Sequence, residues 1–113
     1  MASLFTKIAS GEIKGTILYQ DDQCFAIADI NPQAPKHILL IPRQEIIGIS
    51  SATPTDKAVL GHLLVTAGQI AREQGLEKDG YRLVINNGEH AGQTVPHLHI
   101  HILGGRELGW PPG

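Results

Sequence analysis

The sequence contains a single cysteine, Cys24, so the chain forms neither an internal disulfide bond nor a zinc site built from several cysteines. A chain without disulfides is typical of a reducing compartment, and we therefore expect a cytoplasmic protein. Cys24 opens the apolar run 24–28, and its simplest role is that of a small buried hydrophobic residue.

The sequence also lacks an excess of charge and any long apolar run. Its formal net charge is −2, which argues against a nucleic-acid polymer as partner, although histidines and backbone amides can still bind a small anion. No apolar run approaches the roughly 20 residues that span a bilayer, and no signal peptide is visible, so we expect no membrane association. Without repeats or linkers, the 113 residues predict one domain over 1–113, including a C-terminal tail over 106–113.

The apolar patterns predict an α+β fold. The predicted elements are a short helix capped by Ser3 and ended by Gly11, strands at 17–20, 24–29, 37–41, 81–86 and 97–103, and a long amphipathic helix over 53–75. Short turns between the first strands favour an antiparallel sheet over βαβ units. Gly61 and Gly68 share one helix face, which suggests close packing of another helix across a dimer. His62 lies off the apolar stripe, and we expect it to be a solvated surface residue.

Three histidines alternate with aliphatic residues in the stretch 97–103, and they are half of the six histidines in the protein. Because side chains alternate between the faces of a strand, this pattern predicts that His97, His99 and His101 form a row on one face. Neighbouring imidazoles in such a row are about 6.6 Å apart at the backbone.

Three interpretations of the row remain open. The first is a polar strand face in solvent, although strands favour β-branched and aromatic residues instead. The second is a metal site, since imidazole is a common zinc ligand, but one straight strand spreads the outer rings about 13 Å apart. The third is nucleophilic catalysis on phosphorus, in which His99 attacks while His97 and His101 contact the phosphate or the leaving group.

The third interpretation also explains the loop that precedes the row. Gly92, Gln93 and Thr94 offer backbone N–H groups and polar side chains to an anion, and glycine lets the backbone come close to it.

The segment 92–105 resembles the signature of the histidine triad (HIT) superfamily, His-φ-His-φ-His-φ-φ, where φ is hydrophobic. Four further stretches are similar to its branch of histidine triad nucleotide-binding proteins: SLFTKI at 3–8, PQAP at 32–35, GGR at 104–106 and WPPG at 110–113. The resemblance implies a five-stranded antiparallel sheet with a short N-terminal helix and one long helix, and a homodimer with a continuous ten-stranded sheet.

The resemblance further implies a purine nucleoside phosphoramidase. Such an enzyme cleaves the P–N bond of adenosine 5′-phosphoramidates and releases AMP and an amine, with no metal ion and no cofactor. Its ligand is a purine nucleoside monophosphate, either AMP or GMP. The alternatives are a dinucleoside polyphosphate hydrolase, against which the WPPG ending argues, a nucleotide-binding regulatory module with incidental turnover, and a metalloenzyme.

By the same resemblance, His99 is the nucleophile that forms a nucleotidyl-imidazole intermediate, His97 and His101 flank it, and His37 lines the site. The implied nucleotide-binding residues are Asp29 at the ribose hydroxyls; Phe5, Ile8 and Ile30 at the base; Asn86, Gly92, Gln93, Thr94 and Val95 on the phosphate and leaving-group side; and Trp110, which approaches the partner subunit's site. Two departures from the family pattern stand out. Thr94 replaces a frequent serine, and Pro96 replaces a frequent aromatic residue, so we expect both to affect the range of leaving groups.

Overall fold

The computed structural model describes residues 4–11 and 16–113, and a five-stranded antiparallel sheet lies at its centre. The strands are β1 (Ile17–Gln20), β2 (Cys24–Ala28), β3 (Lys36–Pro42), β4 (Tyr81–Val84) and β5 (Ile100–Gly104). Their order across the sheet is β1-β2-β3-β5-β4, and every neighbouring pair is antiparallel. The predicted α+β class and antiparallel sheet are confirmed.

In the described part of the chain, two α-helices accompany the sheet, α1 (Leu4–Ala9) and α2 (Lys57–Glu73). Ser3, the predicted cap of α1, lies outside the described residues. A 3₁₀ turn precedes α2, and the Asp56 carboxylate accepts the N–H of Thr53 at 2.8 Å. Past the end of α2, Gly75 takes a φ of 77°, which favours glycine. Among residues 4–11 and 16–113, no helix is both long enough and apolar enough to cross a membrane.

Hydrophobic residues cover both faces of the sheet, which explains why β3 is apolar at almost every position. Ile38 and Leu40 of β3 belong to the larger cluster, beneath α2, whereas Leu39 and Ile41 belong to a smaller one that includes Phe5 of α1. His101 alternates with buried strand residues that join the larger cluster, so its side chain lies on the α1 side of the sheet.

The strand prediction over 97–103 is wrong at its first three positions. β5 begins at Ile100, whose partner on β3 is Leu40, and the residues before it leave the sheet. The N–H of Leu98 donates to the carbonyl of Ile46 at 2.6 Å instead of to β3. Pro42, at the end of β3, has no N–H to donate, and its carbonyl accepts a hydrogen bond from the ring of His97. The histidines therefore do not form one straight row.

Asp21 ties the β1–β2 hairpin to α2. One of its oxygens accepts the N–H groups of Gln23 and Cys24 at 2.8 Å each, and the other accepts the Tyr19 hydroxyl at 2.8 Å and His62 Nε2 at 2.7 Å. The expectation of a solvated His62 is therefore wrong, because a partner 41 residues away holds it half-buried. Cys24 is fully buried, as predicted. Hydrogen bonds occupy the lone pairs of the carboxylate, which makes Asp21 a structural anchor.

The charge of Asp21 is stabilised by these bonds. Burial raises the pKa of Asp21, but the donors from Gln23, His62, Tyr19 and Cys24 outweigh burial and hold that pKa well below its usual range. The hydrogen bond to Asp21, with burial, raises the pKa of Tyr19 to about 12.

We expect Asp21→Asn to lower the free energy of unfolding by about 1–3 kcal/mol at pH 7. Because the folded-state pKa of Asp21 is depressed, its contribution is complete above the unfolded value near 4 and declines as the pH falls below it. The difference between wild type and variant should therefore shrink from pH 7 to pH 2.5 in urea titrations. The neighbouring Asp22→Asn serves as control, since Asp22 is exposed, and it should change stability little. A deficit that is independent of pH would contradict the assignment.

Candidate active site

Four histidines gather on the α1 side of the sheet. His37 comes from β3 and His101 from β5, while His97 and His99 lie on the segment that enters β5. Ring centroids are 5.1 Å apart for His37 and His101 and 5.0 Å apart for His101 and His99. Phe5 of α1 packs edge-on against His99 at 4.9 Å and against His97 at 5.8 Å. Residues from the sheet, from the segment that precedes β5 and from α1 thus form one cluster of aromatic rings.

His97 is almost completely buried, at 1% exposure, and its ring is held by the backbone. Its Nε2 donates to the carbonyl of Pro42 at 2.8 Å. Burial lowers the pKa of His97, opposed by the Pro42 carbonyl and by the charge of Glu45. The Nε2–H of His97 therefore serves to hold the segment before β5 against the end of β3.

A hydrogen bond to the backbone orients the ring of His99. Its Nδ1 donates to the carbonyl of His97 at 2.7 Å, which assigns the hydrogen to Nδ1. A neutral imidazole carries only one N–H, so Nε2 keeps its lone pair. A buried ring with a fixed lone pair is the arrangement that a histidine nucleophile or general base needs.

The protons of His37 and His101 are assigned in the same way. The backbone N–H of Gln33 donates to His37 Nδ1 at 3.0 Å, so the hydrogen of His37 lies on Nε2. That Nε2 lies 2.8 Å from His101 Nδ1, which therefore accepts, and the hydrogen of His101 lies on its Nε2. Burial lowers the pKa of both rings; that of His101, also lowered by the charges of His99 and His37, falls to about 4.

Asp29 lies at the edge of this group. It follows β2 directly, and one oxygen lies 3.4 Å from His37 Nε2 while the other accepts the N–H of Asn31 at 2.8 Å. Its half-buried carboxylate opposes the effect of burial on the pKa of His37.

Gln93 shapes the loop before the histidines. Its side-chain oxygen accepts the N–H of Gly88 at 2.8 Å, and its Nε2 donates to the carbonyls of Ile47 at 2.7 Å and Val95 at 3.2 Å. Gly92 takes the left-handed conformation, with a φ of 85°, as a glycine at this turn allows. The side-chain amide of Gln93 thus holds the loop together.

The remaining candidates divide by their exposure. Phe5 and Ile8 are buried, and Val95 packs against the same cluster. By contrast, the side chains of Ile30 and Trp110 are in solvent, at 101% and 82% exposure. The other two, Asn86 and Thr94, are half-buried and exposed respectively.

Several groups that support the site were not predicted from the sequence. Two are backbone groups, the carbonyl of Pro42 and the N–H of Gln33, and side-chain chemistry gives no signal for either. Another is Glu45, which accepts the hydroxyl of Thr6 at 3.1 Å and so connects α1 to the segment after β3.

A metal ion would find few free ligand atoms among these rings. Donor atoms of Asp29, His37 and His101 lie within 4.8 Å of one another. However, the Gln33 N–H keeps the hydrogen of His37 on Nε2, the atom that faces the other two residues. A metal on that atom would require a proton on Nδ1, opposite another N–H. The donor set therefore fits a proton network better than a metal centre.

Comparisons with protein families, sequences and solved structures all point to one family. The model of the HIT domain matches residues 10–108. An uncharacterised HIT-like protein from Synechocystis sp. is 55% identical over 111 residues, covering 98% of this chain and 96% of that protein. A HIT family hydrolase from Legionella pneumophila superposes with a TM-score of 0.97 at 45% identity, over 99% of this chain and 100% of that one. A histidine triad nucleotide-binding protein from Candida albicans gives 0.82 at 29% identity, over 97% and 83%.

The fold and the clustered histidines thus define a histidine triad domain. The chain belongs to the HIT family, and it is similar throughout to proteins described as HIT family hydrolases.

We expect His101 to remain neutral down to pH 5 and to titrate near pH 4, because burial and two neighbouring histidines disfavour its charged form. Nitrogen-15 NMR of the imidazoles measures this directly. Since the folded-state pKa lies below the ordinary value near 6.5, the linked stability is complete above that pH and declines as the pH falls toward 4. A midpoint near 6.5 for His101 would contradict this prediction.

Proposed function

We propose that the protein is a purine nucleoside phosphoramidase that hydrolyses the P–N bond of adenosine 5′-phosphoramidates through a nucleotidyl-histidine intermediate at His99. The observation that supports this most is the 2.7 Å hydrogen bond from His99 Nδ1 to the carbonyl of His97. This bond leaves the lone pair of Nε2 as the nucleophile, and it stabilises the positive charge that appears on the ring when Nε2 bonds to phosphorus.

The reaction balances in two steps. In the first, His99 Nε2 bonds to phosphorus, the P–N bond breaks, and the departing nitrogen takes the bonding electron pair and a proton from water. In the second, the resulting hydroxide bonds to phosphorus, and His99 leaves with its electron pair and its Nδ1 proton. The products are AMP and the amine. In this mechanism, the Nε2–H of His101 donates a hydrogen bond to the departing nitrogen.

The nucleotide part of the proposal rests on the residues around the rings. Asp29 has two carboxylate oxygens, which suit the two ribose hydroxyls. Phe5 and Ile8 provide apolar surface for the purine, with Ile30, whose exposed side chain is available to a ligand. In the loop held by Gln93, the N–H groups of Gly92 and Gln93 already donate to the carbonyls of Glu89 and Gly88. We therefore assign the exposed hydroxyl of Thr94 to the phosphate. The description of the Candida albicans neighbour as a nucleotide-binding protein supports the same ligand class.

The proposed active form is a homodimer joined through β4. This strand is at the edge of the sheet, where its unpaired backbone groups would otherwise face solvent. A Cβ atom at Gly68 of α2 would lie 3.7 Å from the hydroxyl of Tyr81 on β4, so one face of α2 borders this edge. That face carries Leu64 and Val65, at 53% and 75% exposure. An apolar helix face beside an open strand suits a second copy of the chain.

The central prediction is that the purified protein hydrolyses adenosine 5′-phosphoramidate in the presence of EDTA, and that His99→Ala lowers kcat/KM by roughly a thousandfold or more. His90→Ala, which removes an exposed histidine, should retain the wild-type rate. Quenching in base followed by mass spectrometry should show one nucleotidyl group on the wild type and none on His99→Ala. Turnover that EDTA abolishes, or that His99→Ala retains, would refute the proposal.

For the dimer, we expect Val65→Glu to convert the protein to monomers in sedimentation velocity, because it places a charge in the apolar face of α2. Lys57→Glu serves as the control. It changes the charge of the same helix more than Val65→Glu does, but it lies at the first residue of α2, away from the apolar face, so this variant should stay dimeric. A monomeric wild type would contradict the proposed assembly.

A further inference from the structure

Arg106 is bound to the loop that supports the histidines. Its Nη2 and Nε donate to the carbonyl of Gln33 at 3.0 and 3.2 Å. The turn before it approaches this loop closely: a Cβ atom at Gly105 would lie 2.9 Å from Cβ of Pro35, and the φ of Gly105 is 93°. Two donors on one carbonyl restrain both the position and the tilt of the Gln33 backbone.

The other backbone group of Gln33 acts on the site. Its N–H is the donor that requires a lone pair on His37 Nδ1, and His37 in turn donates from Nε2 to His101. A continuous series of hydrogen bonds therefore runs from the guanidinium of Arg106, through one residue of backbone, to the ring beside His99.

We propose that Arg106 is a positioning residue that, through the backbone of Gln33, fixes the tautomers of His37 and His101 and so keeps an N–H on Nε2 of His101. The catalytic consequence rests on the function proposed above, whereas the effect on the tautomers does not.

The physical reason is that the His37–His101 pair has two neutral arrangements. In the first arrangement, His37 Nε2 donates to His101 Nδ1, and the hydrogen of His101 lies on Nε2. In the second, His101 Nδ1 donates to His37 Nε2, so the hydrogen of His37 lies on Nδ1 and Nε2 of His101 has a lone pair. The second arrangement places an N–H of His37 against the N–H of Gln33, which is repulsive. Without Arg106, the Gln33 backbone is free to turn away, and the second arrangement gains population, although the Asp29 carboxylate 3.4 Å from His37 Nε2 still favours the first.

The first experiment measures tautomers. Long-range ¹H–¹⁵N spectra distinguish a protonated from an unprotonated ring nitrogen, and they require no turnover. We expect wild type to show the hydrogens of His37 and His101 on Nε2. Arg106→Met should give averaged shifts for both rings, and Arg106→Lys, which keeps the charge but has one donor group, should fall between them. Wild-type spectra for Arg106→Met would overturn the proposal.

Two controls separate positioning from general damage. Gln33→Ala removes the side chain, which donates to the Asn31 carbonyl, but it keeps both backbone groups, so its imidazole spectra should match wild type. Arg72→Met removes an exposed arginine that pairs with Glu77, away from the histidines, and it should likewise change nothing. A Gln33→Ala spectrum like that of Arg106→Met would assign the effect to the side chain and would overturn the role of the backbone.

The second experiment compares two leaving groups on AMP, an alkylamine and p-nitrophenolate. The departing amine needs a hydrogen-bond donor, whereas p-nitrophenolate leaves without one. We expect Arg106→Met to lower kcat by roughly tenfold more for the amine than for p-nitrophenolate, with Arg106→Lys in between. Equal losses for both substrates would overturn the proposal. If wild type cleaves neither substrate, the proposed function fails, and the spectra alone then decide the role of Arg106.

Discussion

Hydrogen bonds between imidazoles and backbone groups determine the chemistry of this site. The carbonyl of Pro42 accepts from His97, the carbonyl of His97 accepts from His99, and the N–H of Gln33 donates to His37. A neutral imidazole has one hydrogen for two nitrogens, so a bond at one nitrogen decides whether the other is a donor or an acceptor. The backbone thus fixes on which nitrogen His97, His99 and His37 carry their hydrogen, and the His37–His101 bond extends this to the fourth ring.

Burial on the α1 side of the sheet keeps these rings in the form that the bonds require. Desolvation lowers the pKa of His37, His97 and His101, so they are neutral at pH 7 and each has a defined tautomer. Phe5 contributes to this environment by covering His97 and His99 from the α1 side. A six-residue helix would be marginal in isolation, and here it is held by packing on the cluster that it covers.

The sequence predicted the class of fold and the gathering of His99 and His101, because apolar period and helix start signals are local. It misplaced the start of β5, since a period of two reports which face a side chain takes and not whether the backbone pairs with a neighbour. It also misjudged His62, whose partner Asp21 lies 41 residues away. Contacts across such distances depend on the sheet order, which local patterns do not contain.

Gln93 shows how a family resemblance and the geometry combine. The resemblance places its side chain on the phosphate side, yet all three of its bonds go to backbone groups at Gly88, Ile47 and Val95. An amide offers one acceptor and two donors at the same point, and a loop with unpaired groups of both kinds needs such a residue. The side chain of Gln93 therefore acts on the loop itself. The expectation that the N–H groups of Gly92 and Gln93 face an anion is wrong, because they donate to the carbonyls of Glu89 and Gly88. The same principle governs the histidines, where the backbone again sets what each functional group can do.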